Sequence, residues 1–268
     1  MHKIRQRYRY SVILLKQLVK TDFKLRYQNS ILGYLWSLLR PLFIFLILYL
    51  VFTKFLKVGD KVPHYPVYLL LGIVLWNYFV EVTLGSVSVI VSKGDLLRKI
   101  NFPRYVIVLA GSFSALINLM LNFIVIGIFM YFGHVPFTWH ILLILPFMVE
   151  LFIFSLSVAF FISSLFVKFR DVSYIWDVVI QAGFYATPIL YPLSKIPDKF
   201  AKILILNPLA QTIQDTRHIL VTPQTANIAQ LYGGDRLIWL IPFGIVIIIA
   251  ILGSTYFRRR SRFFAEEV

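Results

Sequence analysis

YVIVLAGSFSALINLMLNFIVIGIFMYF (Tyr105–Phe132) runs for twenty-eight residues without one charged side chain. A helix needs about 20 residues to cross the hydrocarbon of a bilayer, so this stretch is long enough to do so. Lipid offers no water to satisfy backbone N–H and C=O groups, which makes the stretch a helix and not an open strand. Five more apolar stretches lie on either side: Leu32–Phe55, Pro66–Val91, His140–Phe166, Ile175–Pro192 and Leu237–Phe257. Ile175–Pro192 is the shortest and carries Pro188 near its end. The reading is an all-α polytopic membrane protein with six transmembrane helices.

Composition agrees. Of 268 residues, 59% are hydrophobic, above the roughly 45–50% of soluble domains. The longest polar gap, Leu193–Arg236, is too short for a second soluble domain. The expected plan is an amphipathic interfacial segment over residues 1–31 and a single six-helix transmembrane domain over 32–268. The absence of cysteine excludes disulfides, thiolate metal sites and cysteine nucleophiles. A net charge of +15 is read as lysine and arginine gathered at the cytoplasmic face and not as a nucleic-acid footprint. The segment before span one, the loops after spans two and four, and the C-terminal tail hold eighteen basic residues, against eight on the other side. Both termini are therefore expected in the cytoplasm. Charges run through the first thirty residues, so no cleavable signal peptide is visible.

Residues 4–28 read as a helix lying on the membrane surface. Tyr8, Val12, Leu15, Val19 and Phe23 share one face, and Arg9, Lys16, Lys20 and Lys24 form a basic stripe beside it. Two readings stand for it, an anchor alone or an anchor that also docks a cytoplasmic partner. Span one contains Pro41, which removes a helical hydrogen bond and favours a kink, and just before it Arg40. That arginine either snorkels to the headgroups or faces a polar path. SKGDLLRKINFPR (Ser92–Arg104) predicts a short amphipathic helix on Leu96, Leu97 and Ile100 in the loop after span two. On the outer side, Phe200–Ile205 and Pro208–Leu220 predict two short helices, a re-entrant hairpin between spans five and six.

Chemistry for catalysis is lacking. No phosphate-cradling Gly-x-x-x-x-Gly-Lys-Ser/Thr loop occurs, nor a Gly-x-Ser-x-Gly elbow. The histidines (His2, His64, His134, His140 and His218) are scattered and predict no metal site. The polar groups inside the spans are more informative: Asn77 and Glu81, Asn118 and Asn122, Glu150, Asp177 and Gln181. Each of the three pairs is spaced i, i+4, hence on one helical face. Such groups are costly in lipid and mark either function or interhelical hydrogen bonds. For Asn118 and Asn122 the helix-bridging role is favoured; for Glu81 and Asp177 both roles stand. Trp36, Trp76, Tyr78, Phe184, Tyr185 and Tyr191 lie at span ends or beside these positions, where rings serve an interface belt or stack on sugars.

Four strings carry a resemblance. NSILGYLWSLLRPL (Asn29–Leu42), FRDVSYIW (Phe169–Trp176), ATPILYP (Ala186–Pro192) and NPLAQTIQDTRHIL (Asn207–Leu220) resemble, in order, segments of the permeases of ATP-binding-cassette polysaccharide exporters. Within that family the likeness is to teichoic acid translocation permeases of Gram-positive bacteria, with the O-antigen export permeases as close relatives. The resemblance implies a transport subunit and no enzyme, multi-pass in the bacterial cytoplasmic membrane. It implies a homodimer joined to two copies of a separate cytoplasmic ATPase, which would hold ATP and Mg; this chain would bind no cofactor. It also implies a coupling helix at Gly94–Asn101, comprising Gly94, Asp95, Leu96, Leu97, Arg98 and Lys99 among others. Phe169, Arg170 and Asp171 would lie close to the ATPase with it. Spans one and five of both copies would line the path, with Tyr34, Trp36, Arg40, Glu81, Tyr185 and Tyr191 as path or gate residues. The cargo would be an anionic polymer on a polyprenyl-pyrophosphate lipid. The rival reading is a membrane-embedded glycosyl- or phosphotransferase acting on polyprenyl phosphates.

Overall fold

The computed structural model describes residues 2–26, 32–57, 62–99, 102–136 and 139–267. Helix α1 (His2–Arg26) does not stand alone. It packs against α6 (Tyr105–Phe132), with Ser11 buried and Leu14, Leu15 and Leu18 against the core, while Tyr10, Ile13, Lys16, Lys20 and Lys24 face outward. The packed face is thus rotated slightly from the predicted stripe. The side chains of Tyr8, Arg9 and Phe23, and the residues Asn29, Ser30 and Ile31, lie outside those described.

A 3-10 turn, Gly33–Leu35, leads into α2 (Trp36–Leu50), which ends in a π-helical turn, Val51–Phe55. The helix continues through Pro41. Proline lacks the N–H that would have bonded the Ser37 carbonyl one turn back. The Asn122 amide of α6 comes to 3.4 Å from that carbonyl, so a side chain stands in for the missing backbone donor.

Helix α3 (Tyr65–Val87) is the hub, touching α2, α6, α7 (Ile144–Lys168) and α8 (Val172–Ala186). Of its most apolar window 78% is buried, against 11% in the first span. The predicted second span ends earlier than expected, at Ser88, where the chain turns into α4 (Val89–Ser92) and α5 (Gly94–Lys99). The 3-10 turn Trp139–Leu143 opens α7. After α8 come α9 (Asp198–Ile205), α10 (Pro208–Leu220), α11 (Ile228–Leu231), α12 (Leu240–Arg260) and α13 (Phe264–Glu267).

Among the described residues, five helices are long and apolar enough to cross a membrane. The fifth predicted stretch is not one of them. Its helix α8 has 15 residues, about 22 Å at 1.5 Å per residue, short of the ~30 Å of hydrocarbon. Pro188 disfavours helical backbone in the residue before it, and Thr187 is extended. Thr187, Pro188, Ile189 and Leu190 then run buried beneath α10.

Both short helices predicted after span five are present. Helix α10 starts with Asn207 accepting the Leu209 N–H at 3.0 Å and Pro208 in its first turn. It is enclosed by α3, α7 and α12. The α7–α12 crossing is close, because a Cβ on Gly253 would strike the Ser157 carbonyl.

Val87, Ile162 and Val172 meet in one small apolar cluster. That contact places α4 and α5, the turn from α7 to α8, and the start of α8 at a common end of the bundle. Helix α13 packs there against α5 and α7.

Candidate functional site

Helices α2, α3 and α6 enclose a groove of about 840 Å³. Trp36, Ser37, Arg40 and Pro41 line it from α2, Asn77, Tyr78 and Glu81 from α3, and Asn118 and Asn122 from α6. Asn77, Tyr78 and Glu81 share one side of α3 at helical spacing. Asn118 donates to the Glu81 carboxylate at 2.7 Å, joining α6 to α3, and Asn122 donates to the Asn118 carbonyl at 2.8 Å. The predicted bridging role of the two asparagines is what the structure contains.

The groove also holds unsatisfied polar atoms. The Tyr78 hydroxyl and the Asn118 Oδ1 are buried with no hydrogen-bond partner among the described residues. Buried polar atoms without partners cost free energy. The exposed Arg40 guanidinium at this groove suits a ligand rich in anionic oxygens. Trp36 adds an exposed ring at the same groove.

Of the six predicted path residues, Trp36, Arg40 and Glu81 therefore come together. Tyr34 lies just ahead of α2, half exposed, and its carbonyl accepts the Ser37 hydroxyl at 2.7 Å. Tyr185 and Tyr191 lie elsewhere. Tyr185 is 69% exposed at the end of α8, and the Tyr191 hydroxyl donates to its carbonyl at 2.9 Å. Helix α8 meets the other side of α3, where Trp76 packs on Phe184 at 5.9 Å and Phe79 on Trp176 at 6.3 Å between ring centroids. Gly183 makes room for this, since a Cβ there would meet the Trp76 ring at 2.9 Å. Within one chain, α3 separates the two sets. Asp177 and Gln181 are exposed on α8.

At the common end of the bundle, α5 turns Gly94 and Leu97 inward and leaves Leu96 half-buried, while Asp95, Arg98 and Lys99 face out. Lys93, just before it, pairs with Asp22 of α1 at 2.8 Å. This ion pair ties the N-terminal helix, one reading of which is partner docking, to the segment that the resemblance implies as a coupling helix. Phe169, Arg170 and Asp171 are exposed at the same end, and the Arg170 guanidinium stands 5.1 Å over the Phe166 ring. Ile100 and Asn101 lie outside the described residues.

Sequence reasoning missed the polar interior of α10. Arg217, counted as an outer-loop charge, is 0% exposed. Its Nε donates to the Tyr68 carbonyl at 2.9 Å, Nη1 to Pro188 at 2.7 Å and Nη2 to Ile189 at 2.6 Å. The guanidinium also lies 3.6 Å over the Tyr68 ring. Gly72 leaves room for it, because a Cβ there would collide with Nη2. A signal did exist. Leu209, Ile213, Arg217 and Leu220 are spaced four, four and three, which puts the arginine in the apolar stripe of its helix. Asp215 is buried too, accepting from Gln211 at 2.6 Å and from the Ile228 N–H at 3.2 Å. Burial pushes its carboxyl up to about 6. Glu150 of α7 is 2% exposed, and both its carboxylate oxygens lack a partner among the described residues.

Similarity to known proteins bears on these elements. The family described as ABC-2 type transporter matches residues 13–221. An O-antigen export system permease protein of Myxococcus xanthus is 30% identical over 270 residues, covering 99% of this chain and 98% of the relative. A permease protein of the same description from Klebsiella pneumoniae is 31% identical over 263 residues, covering 96% and 95%. A polysialic acid transport protein of Escherichia coli is 23% identical over 220 residues, covering 78% and 81%.

Proposed function

The chain belongs to the ABC-2 type transporter family, and on that premise we propose that it forms the membrane path of an ATP-driven exporter for a lipid-linked, anionic cell-surface polysaccharide. As a member of that family it is a transport subunit, not an enzyme, which displaces the transferase reading. The observation that carries the proposal is the groove between α2, α3 and α6, where Arg40, Glu81, Asn77, Asn118 and Trp36 converge within a helix bundle. A bare pyrophosphate cannot enter hydrocarbon, since an isolated charge there costs tens of kcal/mol. A polar, aromatic-edged groove open to lipid lets sugars and phosphates pass while a prenyl tail stays in the bilayer.

In this reading the unit is a homodimer bound to two ATPase subunits, which hold ATP and Mg. The little-covered faces of α2 and α8 meet across the dimer, so the two sets of residues that α3 separates in one chain face each other between copies. Helix α8, extended by Thr187–Pro192, acts as span five and completes the set of six. Helix α9 and helix α10 form the hairpin on the outer side. The basic end of the bundle lies in the cytoplasm with both termini, in a bacterial cytoplasmic membrane. There Gly94–Lys99, Phe169–Asp171 and α1 receive the motion of the ATPase, and the Lys93–Asp22 ion pair makes α1 and α5 move together. Wall teichoic acid is one cargo within this class; the names of the relatives at 30–31% identity support O-antigen polysaccharide as another.

The test is export in cells depleted of the native protein. Arg40→Ala and Glu81→Gln, at equal membrane abundance, are expected to leave lipid-linked polymer at the inner face. Alanine at all six of Tyr34, Trp36, Arg40, Glu81, Tyr185 and Tyr191 with unchanged surface polymer would contradict the path assignment. Analysis of the polymer that accumulates identifies the cargo.

A further inference from the structure

A second cavity, of about 840 Å³, opens at the basic end of the bundle between the start of α6, α7 and the end of α12. Its walls are apolar and aromatic, built from Phe102, Leu109, Leu156, Phe160 and Phe257, with Tyr105 at the edge. Phe160 and Phe257 pack at 4.8 Å between centroids, and Phe102 and Phe257 are buried. Two arginines, Arg104 just ahead of α6 and Arg258 in α12, line the same cavity, together with Ser254 and Ser261. Neither arginine has an acidic partner among the described residues; the ion pairs at this end use Lys93 with Asp22 and Arg260 with Glu267.

From this arrangement we propose that the cavity is a binding site for an anionic phospholipid of the surrounding bilayer. The phosphate sits between Arg104 and Arg258, and an acyl chain lies along Leu109, Leu156 and Phe160. Three features choose this occupant. The cations come without carboxylates, so the complementary charge must be brought by the ligand. Two cations share a cavity whose other walls are mostly apolar, matching a headgroup joined to a chain. The position at the end of two membrane-length helices is where headgroups lie. The site is distinct from the groove of α2, α3 and α6, and it does not depend on the cargo assigned to that groove.

Native mass spectrometry of the detergent-solubilised chain tests it, with phosphatidylglycerol and phosphatidylcholine of identical acyl chains as probes. Phosphatidylglycerol is expected to be retained about tenfold or more over phosphatidylcholine, as two surface arginines imply. Arg104→Ala with Arg258→Ala brings the two lipids to parity. Arg259→Ala with Arg262→Ala removes the same charge away from the cavity and leaves the preference in place. Arg258→Gln alone, an exposed position, reduces the preference and covers the case in which the double variant fails to fold. Equal retention of both lipids by the unaltered chain overturns the proposal. So does an equal loss in the Arg259/Arg262 control, which makes the effect one of general basicity. Retention of glycerol phosphate equal to that of phosphatidylglycerol also overturns it, since it assigns the site to free phosphate.

Discussion

Helices α10 and α2 invert the pattern of a soluble protein. Helix α10 carries Gln211, Gln214, Asp215 and Arg217, and all four are buried. Helix α2 is almost wholly apolar, yet only Pro41 and Phe45 are buried, while Phe43, Leu46, Ile47 and Leu50 are exposed. Water cannot reward the exposure of α2, so its uncovered face belongs to lipid or to another subunit. The polar atoms of α10 answer a need of the interior: the chain breaks at Thr187–Leu190 beneath it, and Arg217 and Gln214 satisfy the carbonyls freed there. The contrast separates what holds the fold from what meets its surroundings.

The largest effect is expected at Arg217. Arg217→Ala takes the side-chain donors from the Tyr68 and Ile189 carbonyls, leaves Pro188 with Gln214 alone and opens a cavity, a loss of about 3–5 kcal/mol. Thermal unfolding in detergent, followed by size-exclusion fluorescence, reads it as a collapse of monodisperse protein. Survival at the unaltered Tm makes the buried network incidental.

The pH dependence of α10 comes next. The native Asp215 carboxyl sits at about 6, above its ordinary 3.8, because burial disfavours its charge. The native state therefore keeps a proton that the unfolded chain releases. The associated stability is complete below about pH 4 and is lost as pH rises through 6, roughly 3 kcal/mol in all. Tm measured from pH 4 to 7.5 should fall over that window, and Asp215→Asn should flatten the profile.

A smaller effect is expected from Gly72→Ala on α3. Its methyl group meets the Arg217 guanidinium, which three hydrogen bonds hold in place. Overpacking of this kind costs about 1–3 kcal/mol, readable as a lowered Tm that Arg217→Ala in the same chain does not lower additively. The smallest effect belongs to α2. Ile47→Ala on the uncovered face should change the stability of the single chain by no more than about 0.5 kcal/mol; a large loss would show that this face is covered, by a second copy or within the chain.

Much of the fold is legible in residue order. Tyr105–Phe132 is helical over its predicted bounds, because an uncharged run of that length has one solution in lipid. The short helix at Gly94 and the helices at Phe200 and Pro208 also follow from amphipathic spacing and caps. Half of the candidate groove was readable too, since intramembrane Arg40 and Glu81 are costly unless used or paired. What was not readable depended on contacts between distant segments. Counting charges by loop assigned Arg217 to solvent, while its partners Tyr68 and Pro188 lie far away in the chain. The separation of Tyr185 and Tyr191 from Arg40 follows from which side of α3 each neighbouring helix takes, and span order does not specify that. Pro188 marked a weak span in advance, and the extended Thr187 gives the backbone reason.

The contrast between the groove-lining and the uncovered positions of α2 can be read directly, because the chain contains no cysteine. Single cysteines at Ser37, Arg40 and Ile44 line the groove, and those at Leu46, Ile47 and Leu50 do not. In membranes that also contain the ATPase subunit, a water-soluble maleimide is the probe. The account predicts labelling at Ser37, Arg40 and Ile44, reduced when lipid-linked polymer accumulates, and none at Leu46, Ile47 and Leu50. Equal labelling of both sets, or labelling in the groove that accumulated polymer leaves unchanged, would contradict a polar path along α2, α3 and α6.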